Sequence, residues 1–393
     1  MKNQQSIKTV FFSLCFCTLF VNCKTKKEEN KVVEKEVDQV NTSFKSGQKW
    51  LDTDGEHINA HGGGIMFHDG IYYWFGEHKT EGRRGNTTLF GVRCYSSTDL
   101  YNWQNKGIAL QVVEDPDSEI TKGAVIERPK VVFNKKTGKY VMWFHLELKG
   151  QGYNAARTGV AVSDSPTGPF TYVKSFRPNA STWPMNFKEE WKTEPENAPT
   201  KWWTPEWYEF VKEGGFVRRD FEGGQMARDM TVFVDDDGKA YHIHSSEENL
   251  TLHISELTDD YLDFTDKWIT LAPAGHNEAP AIFKDQGIYY LITSGCTGWD
   301  PNEARSFKAT SIWGPWESLG NPSIGKNSNL TFYSQSTYIL PVEGQEHSFI
   351  FMADRWTPNN PIDGTYVWLP IEFKNEKPIL KWYEEWDLSM FNK

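Results

Sequence analysis

"HNEAPAIFKDQGIYYLITSG" (residues 276–295) reads as two short strands joined by a tight turn, with a carboxylate, Glu278, at the mouth of the first strand. The same shape returns as "GGGIMFHDGIYYWFGE" (62–77), "ERPKVVFNKKTGKYVMWFH" (127–145), "RDMTVFVDDDGKAYHIHSS" (228–246) and "QSTYILPVEGQEHSFIFMAD" (335–354). Each copy has a polar or glycine residue at the mouth, an apolar strand, a turn containing glycine, and an aromatic-rich second strand. The turns "HDG", "TGK", "DDDG" and "DQG" hold residues that tolerate positive φ, which tight hairpins require. First strands that are almost wholly apolar are expected to be covered on both faces. Further strand-like pieces fall between the copies, among them "TTLFGVRCYSSTDL", "TGVAVSDSPTGPF" and "TLHISELTDD". A unit of about four strands repeated five times, without a long helix, predicts an all-β, five-bladed β-propeller over residues 46–393. A sandwich with coincidental internal similarity is the alternative.

In a propeller the innermost strands crowd the axis and their starting ends open on one face. Residues far apart in sequence then converge: His61 to Gly64, Glu127, Arg228 with Asp229, Glu278, and Gln335. Convergent acids in a concave site are a functional candidate. An insertion at 178–226, between the second and third blades, enters the same face and carries five tryptophans. They either wall one side of a cleft or pack among themselves.

Seventeen Trp and sixteen Tyr in 393 residues exceed what a core of this size requires, and such rings commonly line sites for sugars. A net charge of −11 argues against nucleic acid as a partner. At the N-terminus, Lys2 and Lys8 precede an apolar run from Val10 to Val21 and then Cys23. That is the pattern of a secretory signal over 1–22, too short for a spanning helix. The "LFVNC" ending resembles a bacterial lipoprotein signal, with Cys23 as the lipidated first residue; a soluble exported protein is the alternative. Residues 23–45 are highly charged and predict a flexible tether. The expectation is therefore an exported protein, lipid-anchored in the cell envelope, with no other membrane contact, and monomeric. Only Cys94 and Cys296 fall in the body, as a disulfide or as two free thiols, and no Cys/His spacing suggests a metal or another cofactor.

Carboxylates around an axis, beside abundant aromatic rings, suit glycoside hydrolysis, in which one acid protonates the leaving oxygen. Glu278 is the candidate general acid: Ala279 and Pro280 give it an apolar setting, and Glu127 is expected to face it across the axis. Both influences raise a carboxyl pKa. Opposed mouths would also give the roughly 6.5–9.5 Å that an inverting pair needs.

"EAPAIFK" resembles the acid-bearing strand of glycoside hydrolase family 43, a family of five-bladed, inverting enzymes. "INAHGGGI", "GE" at 76–77, "IERPKVVFN", "ARDMTVFVDDDGKAY", "SGCTGW", "SQSTYILP" and "DRW" resemble its exo-β-1,3-galactanase branch over about residues 50–375. The first-blade Asp base of most of the family is absent, since "AHGGG" stands there. The branch resemblance places the base role on Gln335, through an imidic tautomer or relay, or leaves Gln335 to orient water. It implies that Glu127 grips sugar hydroxyls and that Glu77 is a further pocket acid. It also sets Asp229, Tyr153, Asn249, Thr297 and Trp299 near the sugar, with His61 at the first mouth. Arg128 is either part of this machinery or a structural ion pair. The implied activity is release of terminal galactose from β-1,3-galactan. A furanosidase of the same fold and a non-catalytic glycan-binding propeller are the alternatives.

Overall fold

The computed structural model describes residues 40–392; residues 1–39, including the expected signal, Cys23 and most of the tether, lie outside them. The repeat read from the sequence is five antiparallel blades. They begin with the innermost strands His61–His68, Val125–Asn134, Met230–Val234, Glu278–Asp285 and Gln335–Pro341, and each blade is completed outward in sequence order. The innermost strands touch in the order first to fifth, and the fifth closes on the first. The expected turns form as read: Asp69 and Gly70, and again Gln286 and Gly287, both take positive φ between inner and second strands. Burial follows position. The second strand Lys139–Glu147 is buried at all but its first residue, whereas the outermost Thr171–Phe176 alternates toward solvent.

The ring is sewn shut between the last and first blades. Phe44–Lys45 pairs with Glu385–Trp386, so the expected tether overreaches by these residues: Phe44 is buried. Its ring packs on Trp50, Trp368 and Trp386, and Trp74 and Trp103 continue the cluster. Five of the seventeen tryptophans thus serve closure rather than any ligand. The fifth blade also gains a short strand, Ser323–Ile324, lying parallel to Lys377–Lys381.

Hairpin register sets up the site. The mouth residues His61, Glu127, Glu278 and Gln335 pair with Glu77, His145, Ser294 and Asp354 at the ends of the second strands. The first three of these pairings slip at a bulge immediately inward, and the fourth slips one pair further on, between Ser336 and Tyr338. Gly62, Arg128 and Ala279 take left-handed φ at the first three (60°, 55° and 52°). A bulge re-aims the side chains beside it; here Glu127, Glu278 and Gln335 end up lining the axial pit, whereas His61 is buried and its partner Glu77 lines the pit instead. A Cβ on Gly62 would collide with Glu77 Oε1, and one on Gly64 with the Lys130 side chain. These glycines therefore make room for protein groups.

Candidate active site

One cavity of about 330 Å³ opens at the mouth end of the axis, at the small end of the range for ligand pockets. Glu77, Glu127, Tyr153, Asp229, Asn249, Glu278, Trp299 and Gln335 line it, so eight of the ten expected site residues meet in one pit. Two do not. His61 is wholly buried, stacked on Tyr366 at 5.4 Å, because the bulge turns the first-blade mouth into the protein. Thr297 is exposed on the loop that carries Trp299, its hydroxyl donating to Asp300 O at 2.6 Å.

Glu278 accepts from Asn249 Nδ2 at 2.7 Å and from the Cys296 thiol at 3.3 Å. Burial and then the Asp229 charge raise its pKa to about 7, so near neutral pH it holds a proton to give. Asp229, and not Glu127, is thus the carboxylate that tunes it. Asp229 Oδ2 accepts the backbone N–H of Ala279, one residue past the acid, at 3.1 Å. Cys94 and Cys296 are both free.

Glu127 is fixed from three sides, by Tyr153 OH at 2.7 Å, Asn86 Nδ2 at 2.9 Å and His145 Nδ1 at 3.0 Å. His145 bridges onward to Glu147 at 2.9 Å. Burial opposes charge on both groups, but the pairing wins: His145 rises to about 9 and Glu127 falls well below the carboxylate range. Glu127 is therefore a permanently ionised acceptor, suited to sugar hydroxyls. Ligand atoms of Glu127, His145 and Asp229 lie within 4.8 Å of one another. Both His145 nitrogens are already spent on carboxylates, so the imidazolium occupies the role a cation would have there. Glu77 pairs with Lys79 and accepts the Arg128 N–H at 2.9 Å.

Arg128 is the hub. Buried beneath the pit, it donates to Ser336 O at 2.7 Å, Asp229 Oδ2 at 2.9 Å and Gln335 Oε1 at 2.6 Å. Trp356 Nε1 donates to the same Gln335 oxygen at 3.0 Å. Neither partner can accept a hydrogen bond, so Oε1 is the carbonyl oxygen and Nε2 is the amide nitrogen. That nitrogen donates to Ser294 Oγ at 2.9 Å and faces Glu278 Oε2 at 3.5 Å. Gln335 and Glu278 are hence neighbours, not an opposed pair with space for water between them.

Arg228 lines it too, as expected of a mouth residue, and among the lining residues not foreseen as such are Lys79, His145, Cys296 and Trp356. His145 was within reach, since it is the cross-strand partner of Glu127 once the hairpin register is set. Trp356 directly follows the fifth-blade hairpin. Of the seventeen tryptophans only Trp299 and Trp356 line the pit, meeting edge-to-face at 5.7 Å. The five in the insertion do not reach it. Trp183 stacks on Phe187 and Phe221, and Trp207 is buried against Phe216.

The assignment of Asp229 carries a pH prediction. Activity of wild type should fall on the alkaline side as pH rises through about 7, because the acid loses its proton. In Asp229→Asn the raising charge is gone, so the Glu278 pKa drops and the same limb of the kcat/KM profile moves to lower pH. A limb that stays in place would refute the role of Asp229.

Comparison with known proteins matches this geometry to a family. The family model Glycosyl hydrolases family 43 matches residues 204–355. A solved family 43 β-1,3-galactosidase, in complex with galactodeoxynojirimycin, is 55% identical with a TM-score of 0.85, over 88% of this chain and 100% of that one. The exo-β-1,3-galactanase of Phanerochaete chrysosporium, with β-1,3-galactotriose, is 32% identical over 88% of this chain and 68% of that one, with a TM-score of 0.72. An exo-β-1,3-galactanase from Clostridium thermocellum is 35% identical over 87% and 66% of the two chains, with a TM-score of 0.70. A curated β-D-galactofuranosidase of Aspergillus niger is 25% identical over 130 residues, which span 37% of its length.

Proposed function

The chain belongs to glycoside hydrolase family 43, and from that membership we propose that it releases terminal galactose from β-1,3-galactan with inversion at C1. The observation that carries the reading is a small pit lined both by a carboxyl whose pKa is raised to about 7 and by a second carboxylate fixed in its ionised form. A pit of this size, lined by the buried Arg128, suits a chain end rather than the middle of a strand. Glu127, with Tyr153 and Asn86 behind it, accepts hydroxyl protons of the terminal ring. Trp299 and Trp356 offer flat apolar faces to that ring. Glu278 then gives its proton to the glycosidic oxygen as the bond to C1 breaks, while a water adds to the opposite face of C1 and releases a proton to solvent.

Gln335 acts as a donor. An imidic form would place a proton on Oε1, where two obligate donors already point, so the clamp by Arg128 and Trp356 holds the amide form. Its N–H is the group offered to the pit, there to orient water or a sugar hydroxyl.

Proton NMR of a fresh digest tests the whole reading. β-1,3-galactan should yield galactose as the α anomer first, which then mutarotates. Arabinofuranose or galactofuranose as the sole product from a mixed panel would transfer the protein to the furanosidase reading. Binding without any product would make it a lectin.

A further inference from the structure

Two exposed tryptophans of the insertion lie outside the pit but beside the segment that leads into Glu278. Trp203 is 57% exposed and Trp202 42%, side by side with ring centroids 6.0 Å apart. Solvent-facing tryptophans are costly unless something covers them, and these are held in place. Trp203 sits at φ 66°, a left-handed conformation that a bulky residue adopts only where its surroundings over-determine it. Its ring stacks on His276 at 5.9 Å, nearly parallel at 21°. Beneath both rings is buried Trp207, 5.3 Å from Trp202 and 4.9 Å from Trp203.

That support is continuous with the acid. His276 stands two residues before Glu278, and its N–H donates to Leu250 O at 3.0 Å, next to the Asn249 that holds Glu278. Tyr208 OH meets His276 Nε2 at 3.3 Å. Leu250 is itself part of the small core that Trp207, Val211 and Phe216 form inside the insertion. The insertion is thereby locked to the two loops that position the proton donor.

We propose that Trp203 and Trp202 are a platform for the polysaccharide on the leaving side of the cleaved bond, stacking on the apolar faces of its sugar rings. The direction follows from the chemistry, given the function proposed above. The terminal ring takes the small pit, so the rest of the chain exits over its edge. Glu278 protonates the oxygen that departs with that remainder, so the chain leaves past the acid. The segment entering Glu278 is the one on which Trp203 is stacked. Aromatic rings offer broad contact at little conformational cost, which suits a repetitive chain gripped loosely and advanced one sugar at a time.

The test uses the Glu278→Gln protein, expected to bind with turnover too slow to disturb the measurement, and calorimetry with β-1,3-linked galactooligosaccharides of two, four and six units. Affinity should climb with length, about tenfold from the dimer to the hexamer, the order expected for burying one anchoring tryptophan. Adding Trp203→Ala, or Trp202→Ala with it, should remove the climb while the dimer still binds, and Trp203→Phe should restore most of it. An undiminished climb without the two rings overturns the platform alone. So does a parallel loss of dimer binding, which would show Trp203 to be a prop for the pit. Failure of the Glu278→Gln parent to bind at any length overturns the galactan reading, and the platform with it.

Discussion

Glu278→Gln should lower the rate of galactose release by about 10³-fold, within the 10²–10⁴ that general acid catalysis supplies, or about 4 kcal/mol of barrier at 1.36 kcal/mol per tenfold. The substitution keeps the shape and leaves an oxygen for Asn249 Nδ2 to donate to, so binding of oligosaccharide should persist. The decisive measurement compares leaving groups. A dinitrophenyl galactoside departs as a stable anion and needs little proton donation. The variant should therefore recover most of its lost activity on that substrate, and far less on β-1,3-galactobiose. Equal losses on both would mean that Glu278 binds or positions the sugar instead of giving it a proton. An unchanged rate on galactan would remove it from the chemistry altogether.

The repeat and its mouths were legible because they rest on local rules. A polar or glycine mouth, an apolar strand, a turn and an aromatic-rich strand recur five times, and topology then brings Glu127, Glu278 and Gln335 together. What stayed hidden depended on the bulges. A one-residue slip decides whether a mouth side chain faces the axis or the protein, and nothing in "AHGGG" says that His61 turns inward while its partner Glu77 takes the pit. The identity of the tuning carboxylate was obscured for a related reason. Glu127 and Asp229 both sit at mouths, but Glu127 is neutralised by its own hairpin partner, His145. Asp229 is held beside the acid by a backbone contact to Ala279 that no side-chain pattern encodes. Aromatic abundance misled by composition, since closing the ring and building the insertion consume ten of the seventeen tryptophans.

Runs of left-handed residues lead into the site. Glu247, Glu248 and Asn249 are three successive left-handed residues that deliver the Asn249 amide to Glu278. Thr331, Phe332 and Tyr333 do the same in the approach to Gln335, as Ala272, Ala274 and His276 do before Glu278. Each such residue costs on the order of 1–3 kcal/mol, which only a rigid surround sustains. The propeller supplies it: buried hairpins hold both ends of every mouth loop.

Arg128→Met should be the most damaging change outside the acid, and for two separable reasons. It leaves Asp229, Ser336 O and Gln335 Oε1 without the donor they share. Removing one side of a buried ion pair costs about 3–5 kcal/mol, so the melting temperature should fall visibly. Among folded molecules turnover should drop further, by roughly 10²-fold, the scale of a misplaced catalytic group, because the amide of Gln335 is free to rotate. The guanidinium also lowers the Glu278 pKa, so its loss raises that pKa and the alkaline limb of the pH profile should move upward, opposite to the shift in Asp229→Asn. Arg128→Lys should rescue little, since an ammonium cannot reproduce the planar fork that spans three acceptors. If Gln335 worked instead as an imidic base, the two donors on Oε1 would oppose catalysis, and deleting one would leave turnover per folded molecule intact or higher. A folded Arg128→Met protein with undiminished kcat would therefore overturn the donor role of Gln335.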